Sequence, residues 1–232
     1  MRKKDTAILL HRINYSNSSL VVNCFTKQHG RQSFLFQGGK KKSAPIFPLS
    51  LCEITYYHRT DNELGKITEF APMKSLLHIQ LDPIKSSIAF FWADIIRQTT
   101  TDGQNDSAMF DFLGSKIVDL NQAESVLNTN LIFLLEYTQF LGIEPQHAAN
   151  KRYFNLTEGV FTNEFYGAYT FGGDEIDALQ RMICSEIAQN VPPIVRRKML
   201  DVLVLYYTLH VPGLKINHSL EIIREILYDT SH

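Results

Sequence analysis

The chain lacks the short signatures that mark the commonest catalytic sites. It has no Gly-x-Gly-x-x-Gly, no Gly-x-Ser-x-Gly and no His-Glu-x-x-His, which removes the dinucleotide, serine-hydrolase and zinc-peptidase patterns. Gly39-Lys40 resembles part of a phosphate-binding loop. However, Phe34 stands where the first glycine belongs and Lys41 where the Mg²⁺-binding hydroxyl belongs, so nucleotide hydrolysis is not supported. The eight histidines are scattered, and only the fold could bring a pair such as His147 and Cys184 together. Cysteine is scarce: Cys24, Cys52 and Cys184 lie far apart, each in an apolar context. Buried thiols in a reducing compartment are the expectation. With no Cys-x-x-Cys and no His-x-x-x-His, neither a zinc site nor any other cofactor is expected. No apolar run approaches the length of a membrane span. Behind the charged start Met1-Arg2-Lys3-Lys4-Asp5, the apolar stretch Ala7–Leu10 is too short for a signal peptide and is broken by His11 and Arg12. The reading is a soluble, cytoplasmic, non-enzymatic protein with no membrane partner.

Acidic residues are nearly missing from one part of the chain. Residues 1–50 hold nine Lys/Arg and a single acid, Asp5, a net charge of +8. The remaining residues carry −9, so the total of −1 conceals a basic segment joined to an acidic body. Such asymmetry points to a polyanion-binding module. Its centre is Gly38-Gly39-Lys40-Lys41-Lys42-Ser43-Ala44-Pro45, where two glycines loosen the backbone and three adjacent lysines must face water or an anion. A length of 232 residues allows one large or two modest domains, and 44% hydrophobic against 20% charged residues is enough to bury a core.

From Thr6 to about residue 71 the signals are strand-like. Thr6–Ile13, Leu20–Thr26, Arg31–Gln37, Leu49–Tyr57 and Lys66–Phe70 are short apolar or alternating segments between turns. Gly30 is suited to a positive φ in the second turn, and Pro45 and Pro48 keep the lysine loop out of regular structure. Five short strands with tight turns fit a five-stranded OB-fold barrel, with an SH3-like barrel as competitor. Beyond Pro72 the period is helical. Helices are expected from Pro83, over Asp106–Leu120 and over Asn128–Phe140. Further helices are expected from Asp174 as N-cap to about Asn190, over Ile194–Leu209, and after Asn217 or Ser219. Phe90-Phe91-Trp92 is read as core packing. Residues 145–173 read as a looser, aromatic-rich insert closing on Gly172-Gly173. The fold class is therefore α+β: an N-terminal OB-fold barrel over 1–72, followed by an all-helical domain over 73–232 that carries the insert.

OB barrels hold single strands with a cationic groove and aromatic platforms. Arg12, Lys27, Arg31, Lys40, Lys41 and Lys42 are the candidate phosphate contacts, with Tyr15, Phe34, Phe36, Tyr56 and Tyr57 as candidate rings. Alternation puts Phe34 and Phe36 on one face, read as inward and core. Arg196 and Arg197, beside Lys198, form a second basic cluster, but neighbours on a helix fan apart. A solvated helix face is the plainer reading, and a supplementary DNA contact the sharper one. Lysine–phosphate contacts carry little sequence information, so binding should depend on salt and hardly on sequence.

Several segments in this order resemble a known family. Thr6-Ala7-Ile8-Leu9-Leu10, Leu20-Val21-Val22-x-Cys24-Phe25-Thr26-Lys27-x-x-Gly30-Arg31 and Gly38-Gly39-Lys40-Lys41-Lys42-Ser43 resemble the N-terminus of the bacterial recombination mediator RecO. Phe133-Leu134-Leu135-Glu136-Tyr137 with Leu141-Gly142-Ile143-Glu144-Pro145 resembles a family helix ending in Leu-Gly-x-x-Pro, and Tyr153–Phe161 its Phe-Asp-x-x-x-Gly-x-Phe element. Tyr206–His210 and Lys215-x-x-x-Ser219-Leu220 resemble its C-terminal helices. The resemblance implies an OB-fold, a helical domain, binding of single- and double-stranded DNA, and strand annealing. It also implies loading of RecA, with RecR, onto DNA covered by single-strand-binding protein, whose acidic tail the family binds. Many members carry a four-cysteine zinc element after the Leu-Gly-x-x-Pro helix; residues 145–173 contain no cysteine, so zinc is not expected. An RNA-binding OB protein and a structural adaptor are the competing readings.

Overall fold

Alternating apolar residues make strands of the first seventy residues. The computed structural model describes residues 2–39, 46–57, 64–146, 148, 150–184, 191–216 and 218–228. Its first five strands are β1 (Lys3–Asn14), β2 (Leu20–Thr26), β3 (Gly30–Phe36), β4 (Leu51–Tyr57) and β5 (Gly65–Pro72). They close into a barrel in the order β1-β2-β3-β5-β4. The β3–β5 pair is parallel, and β1 is shared between β2 and β4. This connectivity is that of an OB-fold and decides against the SH3-like alternative. β1 serves two neighbours because it is long. Its first half pairs with β4 from Lys3 to Ile8, its second with β2 from Ala7 to Asn14, and an irregularity between Leu9 and His11 lets it bend.

Inside the barrel lie Val22, Cys24, Phe34, Phe36, Ile54 and Tyr56, each from an alternating position. Phe34 and Phe36 are core residues, as their spacing indicates. The run Ala7-Ile8-Leu9-Leu10 is buried on both faces. Ala7 and Leu9 point into the barrel, and helix α2 (Pro83–Thr99) packs against β1 from outside. That explains a strand read as continuous apolar sequence. A short helix, α1 (Leu77–Leu81), precedes α2, and α3 (Ser107–Gln122) follows it. Asp82 caps α2 by accepting from the Ile84 and Lys85 amides, and Asp106 caps α3 by accepting from Met109 N at 2.8 Å. Of the three rings read as core on α2, Phe91 and Trp92 are buried, but Phe90 is 53% exposed and stands edge-on to Phe47. Three consecutive helical residues span too wide an arc for all to face inward. The barrel ends at Pro72, and α1–α3 continue its compact unit to Glu124.

A second compact unit covers Ser125–His232. Its helices are α4 (Thr129–Leu141), α5 (Asp174–Ile183), α6 (Pro193–His210) and α7 (His218–Leu227). Gly142, at φ 67°, ends α4 with a left-handed turn. Two adjacent tyrosines of α6 fasten it: Tyr207 donates to the Leu134 carbonyl at 2.6 Å and Tyr206 to that of Ile143 at 2.7 Å. Burial pushes the Tyr206 hydroxyl up to about 12.

Three expectations need correction here. The segment read as a looser insert contains a three-stranded sheet, β6 (Tyr153–Asn155), β7 (Val160–Thr162) and β8 (Thr170–Gly172), in the order β7-β6-β8. Phe154 stacks on Phe161 at 4.6 Å and reaches Tyr206 of α6 at 5.5 Å. Ring packing thus holds a segment with no cysteines to form a four-cysteine zinc site. Asp174 is the first residue of α5 and not its cap; Gly173 occupies that position, and Asp174, Glu175 and Asp177 place negative charge on the first turn. Cys184 is exposed just past α5, whereas Cys24 and Cys52 are buried in the barrel. The last helix begins where expected, with Asn217 outside the described residues, as are 185–190, where α5 was expected to continue.

Candidate nucleic-acid interface

The helices of the first unit pack on part of the barrel's outer surface. Outward from β2, Phe25 stacks on Phe110 of α3, with ring centroids 6.2 Å apart. The β2–β3 turn is tied to the segment between α2 and α3. Gly30, at φ 65°, lies so close to it that a Cβ would meet the Gln104 carbonyl oxygen at 2.1 Å. Bridges join Gly30 and Arg31 to Asp102. His11, on the outer side of β1, has a lowered pKa because burial and the nearby Arg97 guanidinium oppose its charge, while Asp94 acts the other way.

Elsewhere on the barrel, cross-strand register lines up one outward-facing row. Ile13 of β1 is opposite Val21 of β2, Val21 is opposite Leu35 of β3, Leu35 is paired with Lys66 of β5, and Lys66 is opposite Tyr57 of β4. Ile13 is 57% exposed and Tyr15, in the β1–β2 turn, 68%; the other members of the row are half-buried. The row therefore has three aliphatic residues, a lysine and a tyrosine, with Tyr15 two residues beyond Ile13 along the chain. The exposed Ile13 and Tyr15 beside this half-buried row suit ring stacking more than hydration. The sequence reading singled out Tyr15 and Tyr57 but missed Ile13, Leu35 and Lys66. Alternation along β3 and β5 would have found Leu35 and Lys66 once Phe36 and Ile67 were set inward.

The candidate cations fare differently. Arg12 is exposed on β1. Lys27 forms a 2.6 Å ion pair with Asp111 of α3 and lies over the Phe110 ring. Arg31 pairs with Asp102 at 2.7 Å and also donates to the Arg97 carbonyl. Lys40, Lys41 and Lys42 lie outside the described residues. In the second unit, Arg196 is only 5% exposed, its Nε without a hydrogen-bond partner among the described residues, so its guanidinium belongs to the interior. Arg197 is half-buried, and Lys198 is exposed, 4.0 Å from Glu175; the three fan around α6 as helix geometry requires. Of the candidate rings, Phe34, Phe36 and Tyr56 are in the core.

The only acid of the first fifty residues is withdrawn from the surface. Asp5 is 3% exposed. It accepts from the Thr6 and Gln28 amides and lies 3.0 Å from His29 Nδ1. Tyr56 OH is 3.3 Å from the same nitrogen. Burial, and then the Asp5 charge, pushes the Tyr56 hydroxyl up to about 12. With its carboxylate turned inward, Asp5 adds little to the outer field, and the exposed charge of residues 2–39 is cationic.

A closed five-stranded barrel of this connectivity, joined to a helical part, defines an OB-fold protein. Residues 1–76 match the family profile described as Recombination protein O N terminal, and residues 80–220 that described as Recombination protein O C terminal. The chain belongs to the RecO family. It is similar to DNA repair protein RecO of Flavobacterium psychrophilum, 28% identical over 237 residues, which cover 97% of this chain and 99% of that protein. Its counterpart from Flavobacterium johnsoniae is 29% identical over 236 residues, with the same coverage. That of Porphyromonas gingivalis is 27% identical over 223 residues, covering 89% of this chain and 91% of that protein. Membership supports a role in DNA repair and recombination. Among the described residues, no helix is long and apolar enough to cross a membrane.

Proposed function

We propose that this chain is a recombination mediator that binds single- and double-stranded DNA without sequence specificity. It anneals complementary strands and, with RecR, helps load RecA onto DNA coated by single-strand-binding protein. The observation that carries the reading is the outer row of the barrel, Ile13, Val21, Leu35, Lys66 and Tyr57, with the exposed Tyr15 two residues beyond Ile13. Bases of a single strand stack on the exposed rings, an interaction open to every base. Arg12, Lys66 and the Lys40–Lys42 loop hold phosphates, which fix position without reading sequence. Annealing needs that indifference, because two strands must be held while their pairing is searched. The protein acts without catalysis or cofactor, in the cytoplasm at the nucleoid, and the acidic tail of single-strand-binding protein is a partner.

The test is annealing of complementary strands precoated with the cognate single-strand-binding protein, with and without its acidic tail. Annealing that depends on the tail is expected. Annealing of naked strands alone would remove the partner from the proposal. Loss of annealing on both substrates would overturn the mediator reading in favour of RNA binding.

A further inference from the structure

The small sheet of the second unit has one face in the core and borders a cleft with the other. Phe154 and Phe161 are buried, with Phe154 against Tyr206 of α6. By alternation, Tyr153 and Asn155 stand on the other side, paired with Thr162 and Val160 of β7 and with Gly172 and Thr170 of β8. The β7–β8 connection carries three rings in five residues that remain in solvent: Phe165 at 64% exposure, Tyr166 at 62% and Tyr169 at 47%. Tyr166 and Tyr169 border a cleft of about 480 Å³, along with the sheet residues Asn155, Thr162 and Thr170. The connection is fixed by its own backbone. Leu156 N donates to the Tyr169 carbonyl at 2.9 Å, Thr170 N to that of Gly167 at 3.0 Å, and Tyr166 N to Thr170 Oγ1 at 3.2 Å. At the edge, Phe165 meets the Tyr153 ring at 5.7 Å, and the Arg152 guanidinium lies 5.3 Å from that ring's centroid. Lys151 adjoins it.

Three exposed rings on a fixed connection form an apolar patch that the fold itself does not require. A protein contact of hot-spot type would need an apolar pocket beneath them, but here the cleft is lined by Asn155, Thr162 and Thr170, whose side-chain oxygens accept from the segment's own backbone amides. Exposed rings bordering a cleft of polar lining, with a guanidinium nearby, suit the stacking of unpaired bases.

We infer that the cleft beside this sheet is a second contact for single-stranded nucleic acid, with bases stacking on Tyr166 and Tyr169. Glu158 also lines the cleft, and Glu164 accepts from the Tyr166 hydroxyl at 2.8 Å. Both carboxylates repel phosphate, so bases enter the cleft while the backbone of the strand passes on the Lys151–Arg152 side. The inference rests on the reading that the chain binds DNA, but it uses no residue of the barrel.

The experiment compares the full chain with the double variants Tyr166→Ala/Tyr169→Ala and Tyr166→Phe/Tyr169→Phe. Binding of a labelled mixed-sequence oligodeoxynucleotide is followed by fluorescence anisotropy over a salt series, with a duplex as control. The alanine pair is expected to bind the single strand about 10-fold or more weakly. Its log–log salt slope should be unchanged, since stacking releases no counterions. Duplex binding should be unaffected, and the phenylalanine pair should match the wild type. Both rings are exposed, so a matching urea midpoint is expected for either variant. Wild-type affinity in the alanine pair would overturn the inference and give the rings to a protein partner. An equal loss on single strand and duplex would overturn it as well. If the wild type itself binds no oligonucleotide, the DNA-binding reading falls with it; if the wild type binds and the alanine pair matches it, only this inference falls.

Discussion

Lys27 Nζ and the Asp111 carboxylate lie 2.6 Å apart, although 84 residues separate them in the chain. The pair fastens the β2–β3 turn to α3 and neutralises a cation that the sequence offers to phosphate. Both side chains are exposed, so the bond adds under about 1 kcal/mol of stability. Lys27→Ala should therefore leave affinity for single-stranded DNA and its salt slope almost unchanged. Asp111→Asn should release Lys27 and steepen the log–log slope by about 0.7. Anisotropy titrations from low to moderate salt separate the two outcomes.

Tyr15 is the most exposed ring of the barrel face. Tyr15→Ala should weaken single-strand binding by about 1–3 kcal/mol and leave the urea midpoint where it was. Tyr15→Phe should retain affinity, since a phenyl ring stacks as well as a phenol. Loss of binding in both variants would assign the hydroxyl, not the ring, to the contact.

The lysine triplet tests the electrostatic part of the same interface. Replacing Lys40, Lys41 and Lys42 together by alanine should shrink the single-strand salt slope by about 2 units without unfolding the chain. An unchanged slope would exclude this loop from the phosphate contact.

Gly30 is where backbone geometry leaves no choice. Its φ is 65°, and a Cβ would stand 2.1 Å from the Gln104 carbonyl oxygen. Gly30→Ala should cost about 3 kcal/mol or more, from left-handed strain plus displacement of the 101–106 segment. Denaturant unfolding measures it directly. A drop under about 1 kcal/mol would mean that the turn yields without cost.

Tyr56 links stability to alkaline pH. Its folded-state pKa, about 12, is above the ordinary value of 10. The neutral phenol is favoured in the fold, so its contribution is complete below about pH 10 and is lost as pH rises toward about 12. Tyr56→Phe should flatten the decline of stability over that window. A residual slope should persist, because Tyr206 is raised to about 12 as well.

Much of the barrel was legible in the sequence because a half-buried strand alternates, and β2 matches its expected span of Leu20–Thr26 to the residue. The small sheet was not legible. Its strands are three residues long, too short for any period, and its burial depends on Tyr206, some fifty residues later in the chain. An apolar neighbourhood points to a buried Cys184, yet it falls just past a helix end and is exposed. Phe90 was grouped with two core rings because sequence adjacency does not say how wide a helix's buried arc is.

The sequence by itself determined the kind of molecule. Charge asymmetry and strand spacing made the N-terminal part a basic barrel, because composition and local periodicity act on each segment independently of where the others lie. Only the tertiary structure decided which cations remain open. Lys27 and Arg31 meet Asp111 and Asp102 across 84 and 71 residues, Asp5 turns inward to His29, and Arg196 is enclosed. Whether a charge faces an anion in solution or a carboxylate of its own chain depends on non-local packing, and local sequence carries no record of it.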